Sequence, residues 1–216
     1  MKIEIGSQKP EQYMELWPGQ YEFFSHYEYA AGVPQALFLV TTRKENGLPN
    51  VCLHSWSAFS GDPGGFFVIM PGLCMQKHTY KNIMRDKVFC INFVGKDYYD
   101  AALGTIEKNG DDDDEFAAGG FTIEEAKTIS APRIKEAFLT YECSLEFEND
   151  LSGKETSALI IGRVVHAAAD DRMQDMNFLC GDQGFMFNVH APKNPLTGEG
   201  QVSGVAVLRP VRLEEE

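Results

Sequence analysis

The run ALFLVTT at residues 36–42, followed by Glu45-Asn46-Gly47-Leu48, constrains the fold more than any other feature of the chain. ALFLVTT is apolar and β-rich and reads as a strand buried on both faces. Asn-Gly tolerates the positive φ angles of a tight type I′ turn, so the chain should fold straight back as a hairpin. The return strand is expected from about Asn50 to Phe59. Two neighbouring strands are therefore antiparallel from the start.

The rest of the chain agrees with that beginning. The turn Gly61-Asp62-Pro63-Gly64-Gly65 precedes a third strand, Phe66 to Met70, and a fourth runs from Val88 to Val94. Residues 138–148 alternate cleanly: Leu139, Tyr141, Cys143, Leu145 and Phe147 share one face, with Thr140, Glu142, Ser144, Glu146 and Glu148 on the other. That pattern marks a half-solvated strand of an antiparallel sheet. Further strands are expected at about Ala158 to Ala168 and Val202 to Leu208. Helices are few. Residues 77–86 form one, with Thr79 as its cap and Tyr80, Ile83 and Met84 on one face. Residues 10–29 read as a short helix and then a surface cap, and Asp170 caps a short helix reaching about Phe178. Residues 97–128 read as helical and loop-like, with the acidic run Asp111–Asp114 as a solvated loop. An EF-hand loop starting at Asp111 would need glycine where Phe116 stands, which argues against calcium. Seven strands and a tight hairpin predict a mainly β fold, an antiparallel barrel with a few surface helices. Closing the sheet hides edges that would otherwise need protection.

Composition narrows the partners. With 216 residues, 44% hydrophobic and 24% charged, the chain suits one domain over residues 1–216. Its formal charge of −13 disfavours nucleic acid and anionic membrane surfaces. No run of 18 apolar residues predicts a transmembrane helix, and MKIEIGSQKPEQ lacks the apolar core of a signal peptide. The five cysteines, Cys52, Cys74, Cys90, Cys143 and Cys180, are scattered. They suggest reduced thiols that pack as small apolar fillers in a cytoplasmic protein.

Several familiar sites are missing from the sequence. There is no P-loop, no Rossmann glycine pattern, no G-x-S-x-G elbow, and no H-E-x-x-H spacing that would suggest zinc. Two regions carry chemistry. Between Pro71 and Lys96 lie Lys77, Lys81, Arg85, Lys87 and Lys96 against the single acid Asp86. Lys77-His78-Thr79 falls at a helix start, where free backbone N–H groups, a hydroxyl and a lysine could hold a phosphate. A basic helix face that answers acids elsewhere explains the same residues. In Leu53-His54-Ser55-Trp56-Ser57, an extended chain would put Ser55 and Ser57 on one face and His54 and Trp56 on the other. Short hydroxyls would let a flat ring approach the backbone. The residues alone fit a core tryptophan and two strand serines somewhat better.

A resemblance adds to this reading. The segments VPQALFLVTTRKENGLPN, HSWSAFSGDPGGFFVIM and KHTYKNIMRDKVFCINF resemble the flavin reductase-like family with the FMN-binding split barrel, especially its flavoredoxin-type branch. DEFAAGGFTIEEAKTISAPRIKEAFLTYECSLEF is similar to the same branch, so the resemblance covers most of residues 33–168. It implies a homodimeric split β-barrel holding FMN near the subunit interface, with His54, Ser55, Trp56 and Ser57 along the isoalloxazine. It implies that Lys77, His78 and Thr79 hold the phosphate and that Asn92, in CINF, lies close to the site. The activity implied is electron transfer from NAD(P)H through FMN to free flavin, ferric iron or another small-molecule or protein redox partner. A flavoredoxin-like carrier, or a flavin-binding module that does not itself oxidise NAD(P)H, is the alternative. No side chain is assigned as acid or base. Residues 1–30 and 185–216 match the pattern weakly.

Overall fold

The hairpin turn closes on three residues. Lys44 N–H donates to Leu48 O at 2.8 Å and Gly47 N–H to Lys44 O at 3.0 Å. Gly47 alone takes a positive φ, +84°, while Asn46 does not. This is a three-residue loop ending in a left-handed glycine, not the expected two-residue type I′ turn. The consequence for the fold is the same: β1 (Gln35–Arg43) pairs antiparallel with β2 (Pro49–His54). A computed structural model of the chain describes residues 2, 4–15, 18–190, 193–194, 196–200 and 203–211.

The remaining main-sheet strands are β3 (Ala58–Asp62), β4 (Gly65–Cys74), β5 (Val88–Phe93), β8 (Leu139–Asn149), β9 (Ser157–Ala169), β10 (Met186–Val189) and β11 (Gly204–Val207), with β6 (Ile123–Glu124) and β7 (Arg133–Ile134) forming a separate ribbon. All pairings are antiparallel, in the order β11-β10-β1-β5-β8-β9-β4-β3, with β2 on the other edge of β1. The sheet curls into a barrel that does not close by hydrogen bonds: among the described residues β2 pairs only with β1, and β4 only with β3 and β9. That opening is the split. The last strand is shorter than expected, and Val202 lies outside the described residues. The strand β10 has no counterpart in the sequence expectation.

β1 is buried on both faces because each face has its own core. Phe38 and Val40 point into the barrel with Met70, Phe89, Ile91 and Ile160, all 0% exposed. Leu37 and Leu39 point outward, under α4 (Tyr99–Glu107) and α5 (Glu115–Gly119), against Ala102, Phe116 and Met186. The other helices are α1 (Gln20–Phe23), α2 (His26–Ala31), α3 (His78–Asp86) and α6 (Met176–Leu179). The C-terminal helix expectation resolves into a 3-10 turn capped by Asp170 and α6 capped by Asp175.

Two acidic features differ from the sequence reading. Alternation put Glu142 on a solvated face, yet it is 0% exposed. Its carboxylate accepts from Lys127 N–H at 2.9 Å, Thr128 N–H at 2.7 Å, the Thr128 hydroxyl and the Arg133 guanidinium. The segment before β7 folds over β8 and covers that face, which no local pattern announces. The acidic run is also anchored rather than merely solvated. Lys44 Nζ donates to the carbonyls of Gly110 (2.7 Å) and Asp113 (2.8 Å) and pairs with buried Glu115 at 3.0 Å. Asp114 caps α5 through Ala117 N–H.

Candidate functional site

The chain opens the split itself. β2 ends at His54, and Ser55–Ser57 are irregular before β3 resumes. On the facing strand, the register of β4 shifts between Met70 and Leu73, at Pro71-Gly72. Proline cannot donate to a ladder and glycine accepts φ of +80° here, so this pair makes a bulge. Between these two breaks lies a cleft of about 620 Å³, within the range of about 300–1,000 Å³ usual for small-molecule sites.

Five of the eight residues singled out from sequence line this cleft: His54, Ser55, Trp56, Lys77 and Thr79. His54 is 9% exposed and its Nε2 lies 2.9 Å from the Trp56 carbonyl oxygen. Burial lowers its pKa to about 4, against an opposing pull from the Trp56 and Pro71 carbonyls. Ser55 Oγ accepts from Asn188 Nδ2 at 3.3 Å. Trp56 lies against Gly72, where an added Cβ would sit 2.4 Å from the indole. Ser57 lines an adjoining cavity instead. The alternation that paired it with Ser55 fails because the chain leaves the extended conformation after His54.

The start of α3 forms one end of the cleft. Its N-cap is Lys77, not Thr79, and no side chain caps it. Thr79 instead sits two residues inward, in the first turn, 4% exposed, accepting from Asn50 Nδ2 at 2.9 Å. The uncapped turn leaves backbone N–H groups to a ligand. Lys77 makes no ion pair among the described residues and carries the only fixed charge on their part of the cleft wall. Elsewhere in the basic island, Arg85 pairs with Asp86 and Lys96 with Asp182, both at 2.6 Å.

His78 and Asn92 are not brought to the cleft. One residue along a helix turns the side chain by about 100°, and His78 faces Asp111 Oδ1 at 2.8 Å in a separate polar recess. Asn92 is 0% exposed inside β5. Its amide donates to Leu39 O (3.2 Å) and Thr41 Oγ1 (3.0 Å), and its Oδ1 accepts from Ile134 N–H (3.0 Å) and the Thr140 hydroxyl (3.1 Å). It stitches β1, β5, β7 and β8 together.

Other residues join the site from distant segments. Cys52 and Cys74 line it as free thiols, and burial pushes Cys52 up to about 11. Phe24 meets Trp56 edge-on at 4.5 Å, and His190 stacks on it at 6.0 Å with planes 26° apart. Glu28 Oε1 accepts from Trp56 Nε1 at 2.8 Å and lies 3.2 Å from His190 Nε2. The Pro-Gly pair in FFVIMPGLC was a readable bulge signal. Glu28 and His190 had none, because only tertiary folding brings them to Trp56.

With this geometry in hand, comparison with known proteins is direct. The family profile described as "Flavin reductase like domain" matches residues 30–186. An uncharacterized protein of Aquifex aeolicus (strain VF5) is 30% identical over 116 residues, which span 52% of this chain and 59% of that relative's length. A split-barrel structure from Shewanella frigidimarina, assigned as a flavin reductase, superposes with a TM-score of 0.68 at 20% identity, covering 94% of this chain and 100% of that one. The flavoredoxin of Desulfovibrio vulgaris (Miyazaki F) superposes with a TM-score of 0.63 at 18% identity, covering 98% and 97%. At those identities the structures speak for the fold, a split barrel, while the profile match across most of the chain speaks for descent. The chain belongs to the flavin reductase-like domain family.

Proposed function

We propose that the protein binds FMN in the split between β2 and β4 and passes electrons from NAD(P)H through it to an acceptor. The observation that carries this reading is the polarity of the cleft. One end offers the Lys77 ammonium and the uncapped start of α3, a combination suited to a phosphate. The other end is walled by Trp56, Leu73 and the backbone of Ser55, which suits a flat ring.

The residues have distinct tasks in this scheme. Lys77 and the first N–H groups of α3 anchor the phosphate. Thr79, locked by Asn50, keeps the α3 start facing the cleft. His54 stays neutral at physiological pH and braces the corner that carries Ser55 and Trp56. Bound flavin supplies the redox chemistry, the interchange of two-electron and one-electron steps. The protein supplies position and excludes water.

A second copy of the chain completes the site in this proposal. The cleft is open, and Ile106 of α4 stands at its wall 54% exposed, with Leu103 beside it 39% exposed. A self-complementary patch about a two-fold axis would cover both clefts at once. Of the aromatic residues at the chain ends, Phe185 serves the interior of its own subunit, 5.1 Å from both Phe93 and Phe138. Tyr21 packs on Tyr29 and Phe24 on Trp56.

The test is to mix the flavin-loaded protein with NADH and with NADPH in the absence of oxygen. Rapid bleaching of the flavin by either supports the reductase. Flavin that stays oxidised with both, yet is reduced by an added reductase, identifies a flavoredoxin-like carrier instead.

A further inference from the structure

The corner at Ser55 and Trp56 is tied from outside by a closed ring of polar contacts. β2 has ended at His54 and β3 begins at Ala58, so no strand pairing fixes these two side chains. Trp56 Nε1, the one donor an indole has, reaches Glu28 Oε1 in α2 at 2.8 Å. The same oxygen lies 3.2 Å from His190 Nε2, so the carboxylate has two partners. His190 Nε2 in turn lies 3.3 Å from Asn188 Nδ2 of β10, and that amide donates to Ser55 Oγ at 3.3 Å. The contacts thus leave the corner at Trp56, pass through α2 and the end of β10, and return at Ser55.

Packing closes the remaining directions. The His190 ring stacks on the indole at 6.0 Å and Phe24 meets it edge-on at 4.5 Å. Gly72 backs it, where a Cβ would come within 2.4 Å. The Glu28 and His190 side chains are 24% and 13% exposed, so their bonds are screened less than those of an open surface pair. The indole, which stands between the cleft and the adjoining cavity, is therefore held in one orientation by the chain itself. A flat ring packs on such a wall without first having to order it, which is how preorganisation raises affinity.

We propose that Glu28, braced by His190, is a positioning residue for the ring end of the cleft, acting through Trp56. This rests on the flavin reading and adds that the affinity for the ring is set from α2 and β10, at the opposite end from Lys77.

Riboflavin carries the ring without the phosphate, so it reads the ring end by itself. The full-length native chain, Glu28→Ala and Glu28→Gln are each titrated with riboflavin and with FMN. Glu28→Ala should weaken both flavins by about tenfold and leave their ratio unchanged, whereas a change at the phosphate end moves the ratio. Glu28→Gln keeps an oxygen acceptor for the indole and should bring both affinities back to within about threefold of native. A second readout needs no flavin. The chain has two tryptophans, so in a Trp17→Phe background the remaining indole N–H signal in an NMR spectrum belongs to Trp56. That proton should exchange with solvent slowly in the native and Glu28→Gln chains and faster in Glu28→Ala, at matched urea midpoints. Flavin binding unchanged in Glu28→Ala, a loss that Glu28→Gln does not restore, or indole exchange indifferent to Glu28 would each overturn the positioning role and leave the flavin reading in place. A native chain that binds neither flavin would overturn the flavin reading and this role with it.

Discussion

His54 and Trp56 are joined by a bond that skips one residue, the imidazole Nε2 lying 2.9 Å from the Trp56 carbonyl oxygen. The ring thus spans the corner where β2 ends, and it is Trp56 that this corner presents to both cavities. Because burial lowers the His54 pKa from 6.5 to about 4, the folded protein holds it neutral where the unfolded chain takes up a proton. Between those two values the unfolded state binds more protons, so stability falls as pH drops from 6.5 toward 4. The full effect is roughly 3 kcal/mol at one pKa unit per 1.4 kcal/mol. Urea midpoints at pH 7 and 4.5 should show this loss in the native chain and less of it in His54→Gln. An equal loss in both would assign the acid sensitivity to other groups.

Asn92 is predicted to matter for folding and not for flavin. Asn92→Leu strands the Ile134 N–H and the Thr140 hydroxyl in the core. The cost should be roughly 2–3 kcal/mol, the range for unsatisfied buried polar groups. FMN affinity per folded molecule should stay within about threefold of native. A tenfold loss of affinity in a folded variant would bring Asn92 to the ligand.

Glu142 should be a stability residue with its own pH window. Burial would raise its pKa, but the bonds from Thr128, Lys127 and Arg133 outweigh it and hold the carboxyl at about 2. Its contribution is therefore present above the ordinary value of 4.5 and is lost as pH falls from there toward 2. Glu142→Gln should cost roughly 3–5 kcal/mol, as for breaking one side of a buried pair. It should also expose the Lys127–Thr128 amides to hydrogen exchange. Unchanged exchange there would contradict the proposed clasp.

The dimer proposal predicts that light scattering finds about twice the 24.1 kDa chain mass. Ile106→Asp, on the exposed flank of the cleft, should shift the protein toward monomer and weaken FMN together. A native monomer that retains FMN at micromolar concentration would remove the second copy from the site.

The sequence was most legible where a pattern is local. The first hairpin, α3 and the strands β5, β8 and β9 follow from turn residues and periodicity, and they place Lys77 at the start of α3; the corner after His54 was not foreseen, because the return strand was expected to run on to Phe59. Less legible was which way each side chain points. Ser57 and Thr79 depend on where regular structure begins and ends, a matter of one or two residues. Glu142 looked solvent-facing because alternation cannot foresee the segment at 125–133 folding over it. Glu28 and His190 meet Trp56 from positions far apart in the chain, and single-sequence patterns carry no signal for such contacts.

The account rests on a flavin whose phosphate meets Lys77 and the α3 start, and one titration tests that most directly. Apo-protein and Lys77→Ala should each be titrated with FMN and with riboflavin, which lacks the phosphate. The native chain should prefer FMN. Lys77→Ala should lose FMN affinity by about 10- to 100-fold, the equivalent of a charge-assisted bond. Its riboflavin affinity should not move. Equal affinity of the native chain for the two flavins, or FMN binding untouched by Lys77→Ala, would contradict the placement of the cofactor in this split.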